Sequence, residues 1–153
     1  MEQNGGLIAG IDIAERTIQA GIYDSEKCVI RTVNLLPEGK EKQPDEVYPV
    51  NKLVAECLRL SDESRIQSVC ITTSDFQMDE LNRMRDELEK AGIPRDRWQI
   101  ISKAESFAYY AYSQKRELYS SGVAIFDYGS NGIKCDMLAI SCLLYTSDAA
   151  DDL

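Results

Sequence analysis

Two acidic residues stand where a charge is costly to place. Asp12 lies near the end of the apolar run that begins at Leu7, and Asp127 closes a second run that begins at Gly122. A carboxylate at the end of a buried strand is unfavourable unless a cation, a metal-bound water or a donor meets it. Each acid is followed by a turn and a returning strand: residues 14–16 lead into 17–23, and residues 128–132 lead into 133–140. The second turn places Gly129 and Gly132 around Ser130 and Asn131. Glycine there lets backbone N–H groups approach an anion such as phosphate. Two such units, one from each half of a protein, suit the clamping of a nucleotide's phosphates and Mg²⁺ from opposite sides. Either unit alone also has an ordinary reading, since Asp and Gly are favoured turn residues after strands. The recurrence of the unit favours the functional one.

Other chemistries are excluded. The chain has no histidine, which removes Ser-His-Asp and Cys-His catalysis, the commonest general base and most zinc sites. Cys28, Cys57, Cys70, Cys135 and Cys142 are scattered, with no C-x-x-C pair, so they read as small buried hydrophobes rather than as a disulfide framework or a metal site. With 17 Lys and Arg against 26 Asp and Glu, the net charge is −9, opposite to what a nucleic-acid surface attracts. No apolar run approaches the roughly 20 residues of a membrane span, and residues 1–6 lack the basic and apolar regions of a signal peptide. The expectation is a soluble, cytoplasmic chain.

The elements that must hold these acids follow from periodicity. Residues 7–13 are apolar on both faces until Asp12 and read as a central, doubly buried strand. Residues 17–23 alternate, with Ile18, Ala20 and Ile22 on one face, and residues 28–35 form a third strand; tight turns make the three an antiparallel meander. The charged, proline-bearing stretch 37–49 is a solvated loop. Leu53, Val54, Cys57 and Leu58 mark an amphipathic helix over about 51–60, and residues 68–73 a β-branched strand. Ser74 with Gln77 has capping-box spacing before a helix carrying Met78, Leu81, Met84, Leu88 and Ala91, which Gly92 and Pro94 stop. Residues 98–101 are a strand. Ser102 with Glu105 then caps a helix reaching about Tyr119, whose Phe107, Tyr109, Tyr110 and Tyr112 read as packing rather than as a stacking platform. The order is β-β-β-α-β-α-β-α followed by a β-hairpin.

On these residues the chain resembles the actin-like ATPase superfamily, which includes actin, heat-shock chaperone ATPases and sugar kinases. Residues 10–13 with their returning strand are similar to its first phosphate segment, residues 100–112 to the connection between its two lobes, and residues 123–138 to its second phosphate segment. The chain also resembles uncharacterised actin-like proteins of anaerobic gut Firmicutes, through Gly10, Ile11, Asp12, Glu15 and Arg16 and through residues 104–107. The resemblance implies an α/β fold: a ribonuclease H-like, actin-type lobe over 7–121 with its connecting helix, and the opening hairpin of a second lobe over 122–141. It implies ATP and Mg²⁺ as cofactors, with Asp12 and Asp127 holding water around the metal. Asp12, Arg16, Thr17, Asp127, Gly129, Ser130, Asn131 and Gly132 would then contact the nucleotide. Hydrolysis would be in-line attack by water, assisted by positioning and charge neutralisation.

The departures from that pattern carry a competing reading. After the first acid the superfamily usually has Gly and hydroxyl residues, whereas this chain has Ala14, Glu15 and Arg16. Where chaperone-type members place an acid near the lobe connection, this chain has Lys103. A non-catalytic scaffold or protein-interaction module that retained the fold is therefore the alternative, with a protein partner or self-association in place of turnover. A sugar- or small-acid kinase has less behind it, because no catalytic acid stands out.

Residues 142–153 resemble a translated sequencing adapter. Setting aside Asp148, Asp151 and Asp152 brings the charge from −9 to −6. On that reading the natural protein continues past Ser141, residues 1–6 are a disordered N-terminus, and the second lobe is cut short. Such a piece would bind ATP poorly, hydrolyse none and expose apolar strands to aggregation.

Overall fold

The alternation of residues 7–13 builds the centre of the molecule. The computed structural model describes residues 5–74, 77–114, 123–129 and 132–138. Strand β1 (Leu7–Ile13) runs antiparallel to β2 (Ile18–Asp24), which pairs antiparallel with β3 (Val29–Asn34). On its other side β1 pairs in parallel with β4 (Ile66–Thr73), and β4 with β5 (Trp98–Ser102). The sheet order is β3-β2-β1-β4-β5, a mixed five-stranded sheet in an α/β protein.

Leu7, Ala9, Ile11 and Ile13 turn to one face and are buried with Ile18, Ala20, Ile22, Val69, Ile71 and Trp98. Helices α1 (Val50–Ser61) and α2 (Met78–Lys90) bury Val50, Leu53, Val54, Cys57, Met84 and Leu88 in the same cluster. Full burial of each large aliphatic residue stabilises the fold by about 1.5–3 kcal/mol. The central strand is not doubly buried, as its composition suggests. Ile8 and Asp12 are half-buried and Gly10 is exposed, because these positions point to the opposite face.

Local signals explain the ends of the elements. Helix α1 stops at Asp62, which adopts the left-handed conformation (φ 58°) while the Glu63 N–H reaches the Leu58 carbonyl at 3.1 Å. Helix α2 stops as expected: Gly92 takes φ 72° and the Ile93 N–H reaches the Leu88 carbonyl at 3.1 Å. The start of α2 differs from the capping-box reading. Gln77, not Ser74, occupies the capping position and makes no side-chain cap bond, and Asp79 and Glu80 in the first turn complement the helix dipole instead. A 3₁₀ turn, Arg95–Arg97, precedes β5. The third strand begins one residue later than expected, since Cys28 closes the β2–β3 turn with φ 53°.

Contacts divide the chain between Ser102 and Lys103. In the second unit, helix α3 (Lys103–Gln114) packs with β6 (Val123–Gly129) and β7 (Gly132–Leu138), which pair as an antiparallel hairpin. Helix α3 starts directly after Ser102 with Glu105 as its third residue, the spacing expected of its cap. The expected continuation to Tyr119 lies outside the described residues, as do residues 142–153. Of the four aromatic residues on α3, only Tyr112 is buried; Phe107, Tyr109 and Tyr110 are exposed, so packing accounts for one of them. The cysteines also differ from expectation: Cys57 is buried, while Cys28 and Cys135 are exposed. Among the described residues no helix is long and apolar enough to cross a membrane.

Candidate functional site

Asp12 is the penultimate residue of β1, at the carboxyl end of the strand where the sheet changes from antiparallel to parallel pairing. Its register partners are Gln19 on β2 and Thr72 on β4. The Asp12 Oδ1 atom is shielded from solvent. Thr72 and Thr73, buried polar residues ending β4, bring hydroxyl groups to the same end of the sheet. Crevices at the carboxyl ends of parallel strands are where open α/β sheets bind ligands. Gly10, two residues earlier on the same face, has nothing within 4 Å of the position a Cβ would occupy, so the space beside the strand is open.

The β1–β2 turn is closed by the Ala14 N–H donating to the Thr17 carbonyl at 3.0 Å. That N–H is thereby committed within the turn. Arg16 and Thr17 are exposed, and Ala14 and Glu15 are half-buried. The Arg16 carbonyl accepts from the Lys42 N–H at 2.8 Å, which fastens the loop after β3 to this turn. Lys42 also contributes to holding the Glu80 carboxyl below its ordinary range, an effect dominated by the hydrogen bond from Arg83.

In the second unit, Asp127 pairs across the hairpin with Lys134, and Gly129 with Gly132 closes the ladder. Gly132 has φ 126°, a conformation that side-chain-bearing residues rarely adopt. Ser130 and Asn131 lie outside the described residues. The Lys103 Nζ lies 3.4 Å from Asp127 Oδ2, with side chains 28% and 36% exposed. The Lys134 Nζ lies 3.5 Å from Asp136 Oδ2, two residues along and on the same face. This face of the hairpin thus carries Ile125, Asp127, Lys134 and Asp136, with Lys103 of α3 set against Asp127. The outer face carries Phe126, Tyr128, Ile133 and Met137, all exposed.

The structure brings Asp12, Arg16 and Thr17 to one turn and Asp127, Gly129 and Gly132 to another. Sequence reasoning noted Lys103 only as a departure and missed its pairing with Asp127. It read Thr72 and Thr73 as strand residues, although two hydroxyls ending an apolar β-branched run are a usable signal. Among the described residues no group of three or more His, Cys, Asp or Glu is arranged to hold a metal ion. A hollow of about 940 Å³, lined among others by Gly6, Tyr23, Asp24, Arg31 and Asp62, opens at the other end of β1 and is separate from Asp12.

The family described as "Family of unknown function (DUF5716) C-terminal" matches residues 36–144, from the loop after β3 through β7. A search of curated proteins finds no match.

Proposed function

The chain belongs to the DUF5716 C-terminal family, and from that premise we propose that it is an actin-like nucleotide-binding protein whose sheet unit is a ribonuclease H-like lobe. The observation that carries this reading is the strand order β3-β2-β1-β4-β5 with Asp12 at the carboxyl end of β1. A second strand–acid–turn unit, β6 to β7, repeats the arrangement around Asp127. Each turn serves in its own unit as a phosphate-contacting element: Arg16 and Thr17 in the first, Gly129 and Gly132 with Ser130 and Asn131 in the second.

ATP with Mg²⁺ is the nucleotide form this reading assigns. The Asp12 carboxylate and its register partner Thr72, on the same face of the sheet, are oxygen donors of the kind that suit a hard cation held through its waters. Bound there, the ion would neutralise phosphate charge. Asp127 fits that role less well, because an ammonium group already faces it. The chain's own residues favour binding over turnover. The Ala14 N–H is used inside the turn, and on the resemblance Lys103 is the nearest equivalent of the acid that orients water in chaperone-type members. This same observation favours a non-catalytic scaffold as the second reading.

The test is a titration of the ¹⁵N-labelled chain with ATP, read by amide chemical shifts. Shifts should concentrate at residues 11–17 and at 127–134, with weak affinity and no release of phosphate. An Asp12→Asn variant should lose the first group of shifts. ATP that moves neither turn would overturn nucleotide binding and leave the scaffold.

A further inference from the structure

The two edges of the five-stranded sheet differ. At the β5 edge the Arg95 guanidinium donates to the Trp98 carbonyl at 3.0 Å and lies 4.1 Å over the Trp98 ring, so a charged side chain guards that strand. The β3 edge has no such device. Residues 29–34 contain no proline, and their register with β2 runs without a break. The single charge among them, Arg31, turns back on its own body, where Nη2 donates to the Leu60 carbonyl at 2.6 Å. Val29 and Ile30 are 50% and 71% exposed.

The hydrogen-bond alternation says which groups this edge offers. The Leu35 N–H donates to the Ile18 carbonyl at 2.9 Å, so these two residues form a hydrogen-bonded pair of the antiparallel ladder. By alternation Val33, Arg31 and Val29 also direct their N–H and C=O groups to β2. Ile30, Thr32 and Asn34, all exposed, turn theirs outward at the end of the sheet. Groups in that arrangement fit an added strand.

We propose that the β3 edge pairs antiparallel with β3 of a second copy of the chain, on a two-fold axis through Thr32. A symmetric pair must set outward residues against outward residues, which puts the axis through a residue and not between two. An axis at Arg31 sets like charges directly opposite, which is unfavourable. Axes nearer either end leave fewer residues paired. The axis at Thr32 matches the two threonines, a favourable cross-strand pair, and sets Ile30 of each copy against Asn34 of the other and Arg31 against Val33. Every outward N–H and C=O of these strands then finds a partner. A foreign strand would be selected by charge, and the outward residues carry none; the β-branched sequence of β3 itself supplies residues that pair well. The dimer fuses two sheets into one and is independent of the nucleotide reading.

The test uses the whole chain carrying Ile133→Lys and Met137→Lys, which removes the exposed apolar face of the hairpin as a rival source of association. Sedimentation velocity should show a reversible monomer–dimer equilibrium. Amide exchange at Ile30, Thr32 and Asn34 should be fast in dilute solution and slow as concentration rises, while Val29, Arg31 and Val33 stay protected throughout. Thr32→Pro deletes an outward donor and leaves the β2–β3 bonds in place. It should weaken dimerisation by about tenfold or more. Ile30→Lys, which charges the edge, should act in the same direction and decides the matter if the proline variant does not fold. With Cys28→Ser, Cys135→Ser and Cys142→Ser, Thr32→Cys should give a disulfide-linked dimer on mild oxidation, because opposed residues in such a pair have Cα atoms about 5.5 Å apart. A chain that stays monomeric, a dimer unaffected by both edge variants, or exchange at residues 30, 32 and 34 that ignores concentration would overturn the proposal. Crosslinking through Arg31→Cys in place of Thr32→Cys would overturn the register.

Discussion

Lys40 and Glu46 show how single residues order a segment that composition marks as solvated. The two side chains meet at 2.8 Å, and Glu46 Oε2 also accepts from the Gln43 N–H at 3.2 Å. The Lys40 bond first, and the Gln43 bond after it, hold the Glu46 carboxyl at about 2, well below its ordinary 4.5. A carboxyl depressed on folding contributes stability above its unfolded value and loses it as pH falls through the folded one. Ordering of residues 40–46 should therefore persist at neutral pH and decay as pH falls from about 4.5 to about 2. Carboxyl-detected NMR should give a Glu46 midpoint near the lower end of that window; a midpoint near the ordinary value would show the bond to be absent in solution. The consequence reaches the candidate site, because Lys42 in this segment donates to Arg16 of the β1–β2 turn.

At the scale of elements, α1 is capped from a distance. Pro49 supplies no side-chain cap, and the Val50 N–H instead donates to Glu87 Oε2 of α2 at 2.7 Å. Arg83 binds the other oxygen of Glu87 and also binds Glu80, so one guanidinium orients the capping carboxylate. An acid at a helix N-terminus satisfies an orphan N–H and complements the dipole. Glu87→Ala should lower stability by about 0.5–2 kcal/mol in urea unfolding, the range found for lost caps. Glu87→Gln, which retains an acceptor, should recover part of it. No measurable loss in the alanine variant would show that water replaces the cap at no cost. This element-level bond also links the two helices that cover the core face of the sheet.

For the molecule as a whole, the hairpin's outer face is the main liability. Phe126, Tyr128, Ile133 and Met137 are 57%, 75%, 66% and 82% exposed, and they form one apolar face of a two-stranded sheet. Two strands alone are marginal in water, and exposed apolar strands invite association. The chain should self-associate with rising concentration in sedimentation velocity, and a double change, Ile133→Lys with Met137→Lys, should shift it toward monomer. A monodisperse native monomer at high concentration would contradict this.

Much of the architecture was legible because its causes are local. The alternation at Ile18, Ala20 and Ile22 declares which face of β2 is buried, the three- and four-residue spacing of Leu53, Val54 and Cys57 declares α1, and Gly92 with Pro94 declares the end of α2. Those signals depend on bond geometry within a few residues. The acids that close each apolar run were legible too, since charge at the end of such a run is unusual whatever surrounds it. What surrounds them was not. The parallel register that sets Thr72 beside Asp12, the exposure of Gly10 on the second face of β1, and the ammonium group of Lys103 opposite Asp127 join residues 24 to 60 positions apart or depend on what covers a face. Sequence order carries no record of such juxtapositions, because they are decided by how strands pair and helices pack.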